Sequence, residues 1–184
     1  EQEIERLIGS NLDTETLHQG LVVNDENGRN DYITYLLSTI SKSLSGLKVV
    51  VDCAHGSAST YAPEVLKRAG AQVIVIGATP DGENINQDCG STHLDLLASK
   101  VLQSGADLGI AHDGDADRAL LIDGRGNVVD GDALLALLAL AAKRKGELTG
   151  NKIVATVMSN LGFLKKMKDE GITVEVASVG DRYV

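Results

Sequence analysis

The sequence predicts an α/β protein: a three-layer αβα domain with a mainly parallel sheet, followed by the beginning of a second, similar βαβ unit. Three observations carry this. Short runs that are nearly all apolar alternate with segments of helical periodicity, the pattern of strands covered on both faces by crossover helices. Glycines at positions 46, 70 and 105 close the helical segments, as helix stops do. After a polar stretch, the strand–helix–strand pattern starts again.

Taken in order, residues 1–30 lack strong periodicity beyond Ile4, Leu7 and Ile8, and Asn24 to Asn30 is polar. They are expected to form a linker or the tail of a preceding domain. From Asp31 to Leu44, the positions Ile33, Leu36, Leu37, Ile40 and Leu44 follow helical spacing, so an amphipathic helix is expected there. Lys48 to Asp52 (KVVVD) reads as a strand, followed by a small-residue turn and a helix over Thr60 to Ala69, with Pro63 placed in its first turn. Gln72 to Gly77 is a second strand. A long polar loop then runs to Gly90, and a helix from about Thr92 carries Leu94, Leu97, Val101 and Leu102. Asp107 to Ala111 is a third strand and Arg118 to Asp123 a fourth, which turns through Gly124 to Asn127 into Val128 and Val129. Asp132 is expected to cap a helix over Ala133 to Lys145, whose last turn holds Lys143, Arg144 and Lys145 where cations suit the helix dipole. Gly146 to Asn151 looks like a boundary. Lys152 to Val157, a helix over Leu161 to Glu170, and Thr173 to Ala177 restart the pattern. The expected division is therefore 1–30, a complete metal-binding α/β domain over 31–148, and the start of a further α/β domain over 149–184.

The 17 basic against 26 acidic side chains give a formal net charge of −9, which argues against a protein that grips nucleic-acid phosphates or an anionic membrane. Aromatic residues make up 3%, too few for base-stacking platforms. The longest apolar run, Ala133 to Ala142, is too short to span a bilayer. Two cysteines, Cys53 and Cys89, make no disulfide framework, and a cytoplasmic setting is expected. The chain begins at Glu1 and stops at Val184 just after a loop-like segment, and it reads as a piece of a longer protein.

The strongest chemical signal is His112 to Arg118, HDGDADR, directly after an apolar strand. In parallel α/β sheets ligands bind at the carboxyl ends of strands. Asp113, Asp115 and Asp117 stand at alternate positions, which on an extended segment would aim all three the same way. Two such anions about 4 Å apart repel by about 4 kcal/mol at an effective dielectric of about 20, so the trio calls for a counter-cation. Oxygen donors suit Mg²⁺, Mn²⁺ or Ca²⁺ rather than zinc. A solvated acidic turn is the plain alternative. A Ca²⁺ loop of the helix–loop–helix type fails, because Arg118 and Gly124 stand where Gly and Glu are needed. A phosphatase with Asp113 as nucleophile is a competing reading. Arg118 can pair with the carboxylates or face a phosphate, which a guanidinium grips with two N–H groups.

Other motifs read as structural. Cys53 to Ser59 (CAHGSAS) sits at a strand end but lacks the lysine and spacing of a phosphate loop, so close packing of small residues explains it, with His55 as a turn residue. Ser159 to Gly162 reads as a helix cap. Gly180, Asp181 and Arg182 form a turn at a strand end, either a plain loop or a substrate contact.

Together these residues resemble the α-D-phosphohexomutases. DGDADR followed by IDGRGNVVDGD looks like that family's metal loop and its sequel, and VVVDCAHGSAS, PDGENINQDCGSTH, VMSNLG and VGDRYV resemble its bacterial phosphoglucosamine mutase branch more than the phosphomannomutase or phosphoglucomutase branches. The resemblance implies a four-domain enzyme, of which this chain would hold the end of the first domain, the second, and the start of the third. It implies that Asp113, Asp115 and Asp117 bind one Mg²⁺ that also contacts a phosphoserine. By the same resemblance Arg118 contacts the transferring phosphoryl group, and Gly180, Asp181 and Arg182 lie near a sugar phosphate. The implied reaction interconverts glucosamine 6-phosphate and glucosamine 1-phosphate through a bisphosphorylated sugar. The family's Ser-His-Asn-Pro-type, Glu-x-Ser-Gly-His and Ser-Gly-Thr loops do not occur in this sequence, so the chain alone is expected to be inactive. A non-catalytic acidic metal-binding domain remains the alternative from a different class.

Overall fold

Val49, Val50 and Val51 cannot all face one side of a pleated strand, so such a run needs cover on both faces. It forms β1 (Lys48–Asp52), flanked in parallel by β2 (Gln72–Ile76) and β3 (Leu108–His112). The computed structural model describes residues 2–10, 20–23, 25 and 27–184. Two more strands, β4 (Ala119–Asp123) and β5 (Val128–Val129), complete a sheet of order β2-β1-β3-β4-β5. Strand β4 runs antiparallel to β3, with His112 opposite Ala119, and β5 runs antiparallel to β4. Only residues 113–118 separate β3 from β4, too few for a crossover connection.

Helix α3 (Ala58–Arg68) covers one face, with Ala58, Ala62 and Leu66 packed against Val51, Cys53, Val73, Val75 and Ile110. Helix α4 (Asp95–Ser104) covers the other, its Leu97 and Val101 meeting Val50, Ile74, Ile76, Ala111 and Ile122. These are the three predicted layers. Gly109 lets α4 approach β3, since a Cβ there would stand 2.8 Å from Val101 Cγ2 and 2.9 Å from Leu97 Cδ1.

A second, two-stranded parallel sheet pairs β6 (Lys152–Thr156) with β7 (Thr173–Ala177). It packs with helices α5 (Gly131–Lys145) and α6 (Leu161–Asp169) through Ala139, Ala155, Phe163, Met167 and Ile172. The boundary expected after residue 148 assigned α5 to the first sheet. Its packing differs: Leu135, Ala136, Ala139 and Leu140 all belong to the β6–β7 cluster.

Local readings change for identifiable reasons. The N-cap of α5 is Asp130, whose carboxylate accepts the Ala133 N–H at 2.8 Å; Asp132, the expected cap, instead accepts the N–H of Asn160 at 2.8 Å. Asn160 in turn caps α6 through the Phe163 N–H. Pro63 is the sixth residue of α3 and so lies in its second turn, because the helix begins at Ala58 rather than Thr60. The helix expected over 31–44 is α2 (Gly28–Ser38). It ends at Ser38, where the Ser38 and Thr39 hydroxyls donate to the carbonyls of Tyr35 and Leu36 at 2.6 and 2.7 Å, two of the last-turn carbonyls that a helix end leaves without an intrahelical partner. Leu44 lies past the helix and donates its N–H to Ala69.

The chain falls into two compact units, Glu1–Tyr32 and Ile33–Val184. Within the expected tail of residues 1–30, Gln2–Ile8 is a helix, α1, closed by a Glu3–Arg6 ion pair; residues 1, 11–19, 24 and 26 lie outside the described residues. Both cysteines are free and buried. Burial, with Asp52 beside it, pushes the Cys53 thiol up to about 12. No helix among the described residues is long and apolar enough to cross a membrane.

Candidate metal centre

The apolar strand β3 ends at His112, and the chain reverses through residues 113–118 to enter β4. The reversal is a turn, not the extended segment that alternate spacing suggested. Ala116 donates its N–H to the Asp113 carbonyl at 3.1 Å and adopts a left-handed φ of 61°, a conformation that costs an L-residue energy and persists only when its surroundings hold it. Convergence survives the change of geometry. Asp113, Asp115 and Asp117 each offer a carboxylate oxygen within 4.8 Å of the others.

The three are not equivalent. The Asp113 side chain is 2% exposed while that of Asp117 is 70% exposed. Arg118 closes on Asp113 from two sides: its backbone N–H donates to Oδ1 at 3.0 Å and its Nε to Oδ2 at 2.8 Å. Burial opposes ionisation of Asp113, but these bonds outweigh it and hold the carboxyl down to about 2. Asp117 moves the other way, raised chiefly by its hydrogen bond with Asp113, with burial and the charges of Asp113 and Asp115 adding to it. The Arg118 guanidinium is 69% exposed, so its outer edge faces solvent while its inner edge holds Asp113.

The donor set is all oxygen, charged, open to solvent on two of three members and crowded with like charge. That fits a hard divalent cation, which would relieve the repulsion, and it does not fit zinc. No other cluster of three His, Cys, Asp or Glu side chains suited to a metal occurs among the described residues.

The loop is braced by neighbours that sequence reasoning treated as packing. Ser57 donates its N–H to the Gly114 carbonyl at 2.9 Å, and a Cβ on Gly56 would overlap that same oxygen. His55 is a turn residue, as expected, accepting the Thr79 N–H at 3.2 Å. Burial lowers the basicity of His112, at the neck of the loop, and its Nδ1 has no partner among the described residues. One residue was missed. Asp52 is fully buried and accepts the N–H groups of Ala54 and Gly90, which nothing in KVVVD distinguishes from an ordinary strand end. Gly180, Asp181 and Arg182 stand after β7, on the other sheet, with Gly180 at a φ of 128°; the Asp181 side chain lies outside the described residues.

The chain matches the model of phosphoglucomutase/phosphomannomutase alpha/beta/alpha domain II over residues 30–126 and that of domain III over residues 130–184. Among curated proteins it is 60% identical over 153 residues to a phosphoglucosamine mutase of Paenarthrobacter aurescens, covering 83% of this chain and 34% of the relative. It is 52% identical over 185 residues to that of Thermobifida fusca, covering all of this chain and 41% of the relative. This chain thus spans about a third to two fifths of the length of these relatives. Among solved structures, a phosphoglucomutase/phosphomannomutase family protein of Burkholderia thailandensis superposes with a TM-score of 0.72 at 24% identity, covering 83% of this chain and 33% of its own. An N-acetylglucosamine-phosphate mutase in its apo form gives 0.61 at 20% identity, covering 84% of this chain and 37% of its own. At that identity the two structures support the fold alone.

Proposed function

Because the chain belongs to the phosphoglucomutase/phosphomannomutase family, we propose that it carries the metal-binding part of a Mg²⁺-dependent phosphoglucosamine mutase. That whole enzyme interconverts glucosamine 6-phosphate and glucosamine 1-phosphate, through a phosphoserine and a bisphosphorylated sugar, in the cytoplasm. The observation that carries the reading is the convergence of Asp113, Asp115 and Asp117 at the carboxyl end of β3. The names of relatives at 52 to 60% identity support the choice of sugar.

Phosphoryl transfer depends on positioning and on neutralising charge. The three aspartates would hold one Mg²⁺, which supplies that neutralisation when bound. Asp113, buried and ionised, fixes the inner edge of the site. Asp115 and Asp117 complete it from the exposed side. Arg118 orients Asp113 through Nε and presents its solvent edge to a phosphoryl oxygen. Gly180, Asp181 and Arg182 are proposed as contacts to the sugar phosphate. The serine nucleophile and the other loops named above are absent from this sequence, so the 184-residue chain is proposed to bind metal without turning over substrate. The partners in this reading are the sugar phosphate and the rest of the enzyme's domains, with neither nucleic acid nor membrane.

The domain division belongs to the same proposal: a tail over residues 1–30, a metal-binding α/β domain from residue 31, and a further α/β domain that starts with α5. This moves the expected boundary from 148 to the stretch between 126 and 130, supported by the packing of α5 and by the limits of the two matches.

Calorimetric titration of Mg²⁺ into the chain and into Asp115→Asn tests the metal site. Affinity should fall at least about tenfold, the loss of one charged ligand being worth more than about 1.4 kcal/mol. Equal affinity would leave the trio a solvated acidic turn.

A further inference from the structure

We propose that Asp52 is a positioning residue for the 113–118 loop, acting through two other loops that its buried carboxylate ties together. The proposal rests on the metal reading only for its binding readout. Asp52 ends β1 and is 0% exposed. Its Oδ1 accepts the Ala54 N–H at 2.9 Å and its Oδ2 accepts the Gly90 N–H at 2.8 Å. The first bond starts the turn after β1, where Ala54 and His55 both adopt left-handed φ values, of 53° and 50°. Two such residues in succession need a fixed anchor. The second bond holds the long loop after β2, which is also tied to that turn by the Asn86 N–H on the Ala54 carbonyl at 2.8 Å.

Both loops close on Gly114. From the turn, Ser57 N–H grips the Gly114 carbonyl. From the long loop, Ile85 and Asn86 cover its α-carbon so closely that a Cβ there would stand 2.6 Å from Ile85 Cδ1 and 2.8 Å from Asn86 Nδ2. Gly90 lies against the end of β3 just before the loop, where a Cβ would stand 2.7 Å from the His112 carbonyl oxygen. The backbone between Asp113 and Asp115 is therefore seated in a slot whose two walls are joined at one carboxylate. An apolar residue would serve the core at lower desolvation cost. A carboxylate is needed where two separate N–H groups must be held at once.

The test uses the intact 184-residue chain. Asp52→Asn keeps the shape but replaces one acceptor with an NH₂ that faces a backbone N–H, donor against donor. Met167→Ala, fully buried in the other core between α6 and the β6–β7 sheet, serves as a comparably destabilised control. Amide exchange at Ser57, Ala116 and Arg118 should accelerate at least tenfold in Asp52→Asn beyond its change in Met167→Ala, and Mn²⁺ should bind at least fivefold more weakly in the first and within twofold of wild type in the second. Wild-type exchange and affinity in Asp52→Asn overturn the proposal. So do equal losses in both variants, which would mark a merely structural role. Should Asp52→Asn not fold, Ile85→Ala reaches the same slot from its exposed side; there, faster Ser57 exchange with weakened Mn²⁺ binding supports the slot, and wild-type behaviour overturns it. If wild-type chain binds no Mn²⁺, the metal reading fails, and exchange alone decides the role of Asp52.

Discussion

At the level of single residues, burial and charge are set against each other in Asp113, and Arg118 decides the outcome. The carboxyl titrates near 2 in the folded chain, against an ordinary value of 3.8. A group depressed in this way contributes stability that is complete above its unfolded value and is lost as pH falls from about 4 to about 2. Arg118→Gln removes the guanidinium but keeps the backbone N–H bond to Oδ1, so the carboxyl is held down less and contributes less stability above its unfolded value. The acid-unfolding midpoint, followed by circular dichroism, should move to higher pH in this variant. A midpoint at or below that of wild type would show that Arg118 does not hold Asp113. The identity of the trio was legible from spacing and strand context. Its geometry was not, because the convergence depends on a left-handed Ala116, a residue type that carries no local signal for that conformation. Asp52 was illegible for a different reason: its partners are 2 and 38 residues away, and a partner 38 positions off leaves no periodicity in the sequence.

At the level of elements, the cap of α5 falls on Asp130 rather than on Asp132, where the sequence suggested it. Either could cap a helix that begins within one residue of it, and boundaries of that kind are fixed by geometry rather than by residue type. Asp130→Ala should destabilise the chain by about 1 kcal/mol, the usual cost of losing a cap. Asp132→Ala leaves the cap intact and removes a single bond between the start of α5 and the start of α6. Its signature should be faster amide exchange at Asn160, with Ala133 unaffected; Asp130→Ala should give the converse. Thermal unfolding combined with residue-resolved exchange checks both, and protection lost at Ala133 in Asp132→Ala would reverse the assignment. Helix α2 shows the same limit in another form. Its apolar spacing continues to Leu44, but the helix ends at Ser38, with serine and threonine hydroxyls on its last-turn carbonyls.

At the level of the whole molecule, the layers were legible because each strand run is short, apolar and flanked by a helix, whereas the packing partner of α5 was not. A polar, glycine-containing stretch at residues 146–151 looks like a linker, yet the helix before it packs with the strands after it. Two cores then make a testable difference. Met167 and Leu97 are both fully buried, the first among α5, α6 and the second sheet, the second between α4 and the first sheet. Truncating either to alanine should cost about 2–5 kcal/mol. The consequences at the metal loop should differ. Leu97 packs with Val50 and Ala111 in β1 and β3, the strands whose ends carry Asp52 and lead to Asp113, so Leu97→Ala should weaken Mn²⁺ binding severalfold even well below the unfolding transition. Met167→Ala should leave that affinity within twofold of wild type and accelerate amide exchange only over α5, β6, α6 and β7. Calorimetric titration and exchange at one temperature read both. Weakened binding in Met167→Ala would mean that the second core also supports the trio, and that the chain from β1 to β7 behaves as one cooperative unit rather than as two cores that respond separately.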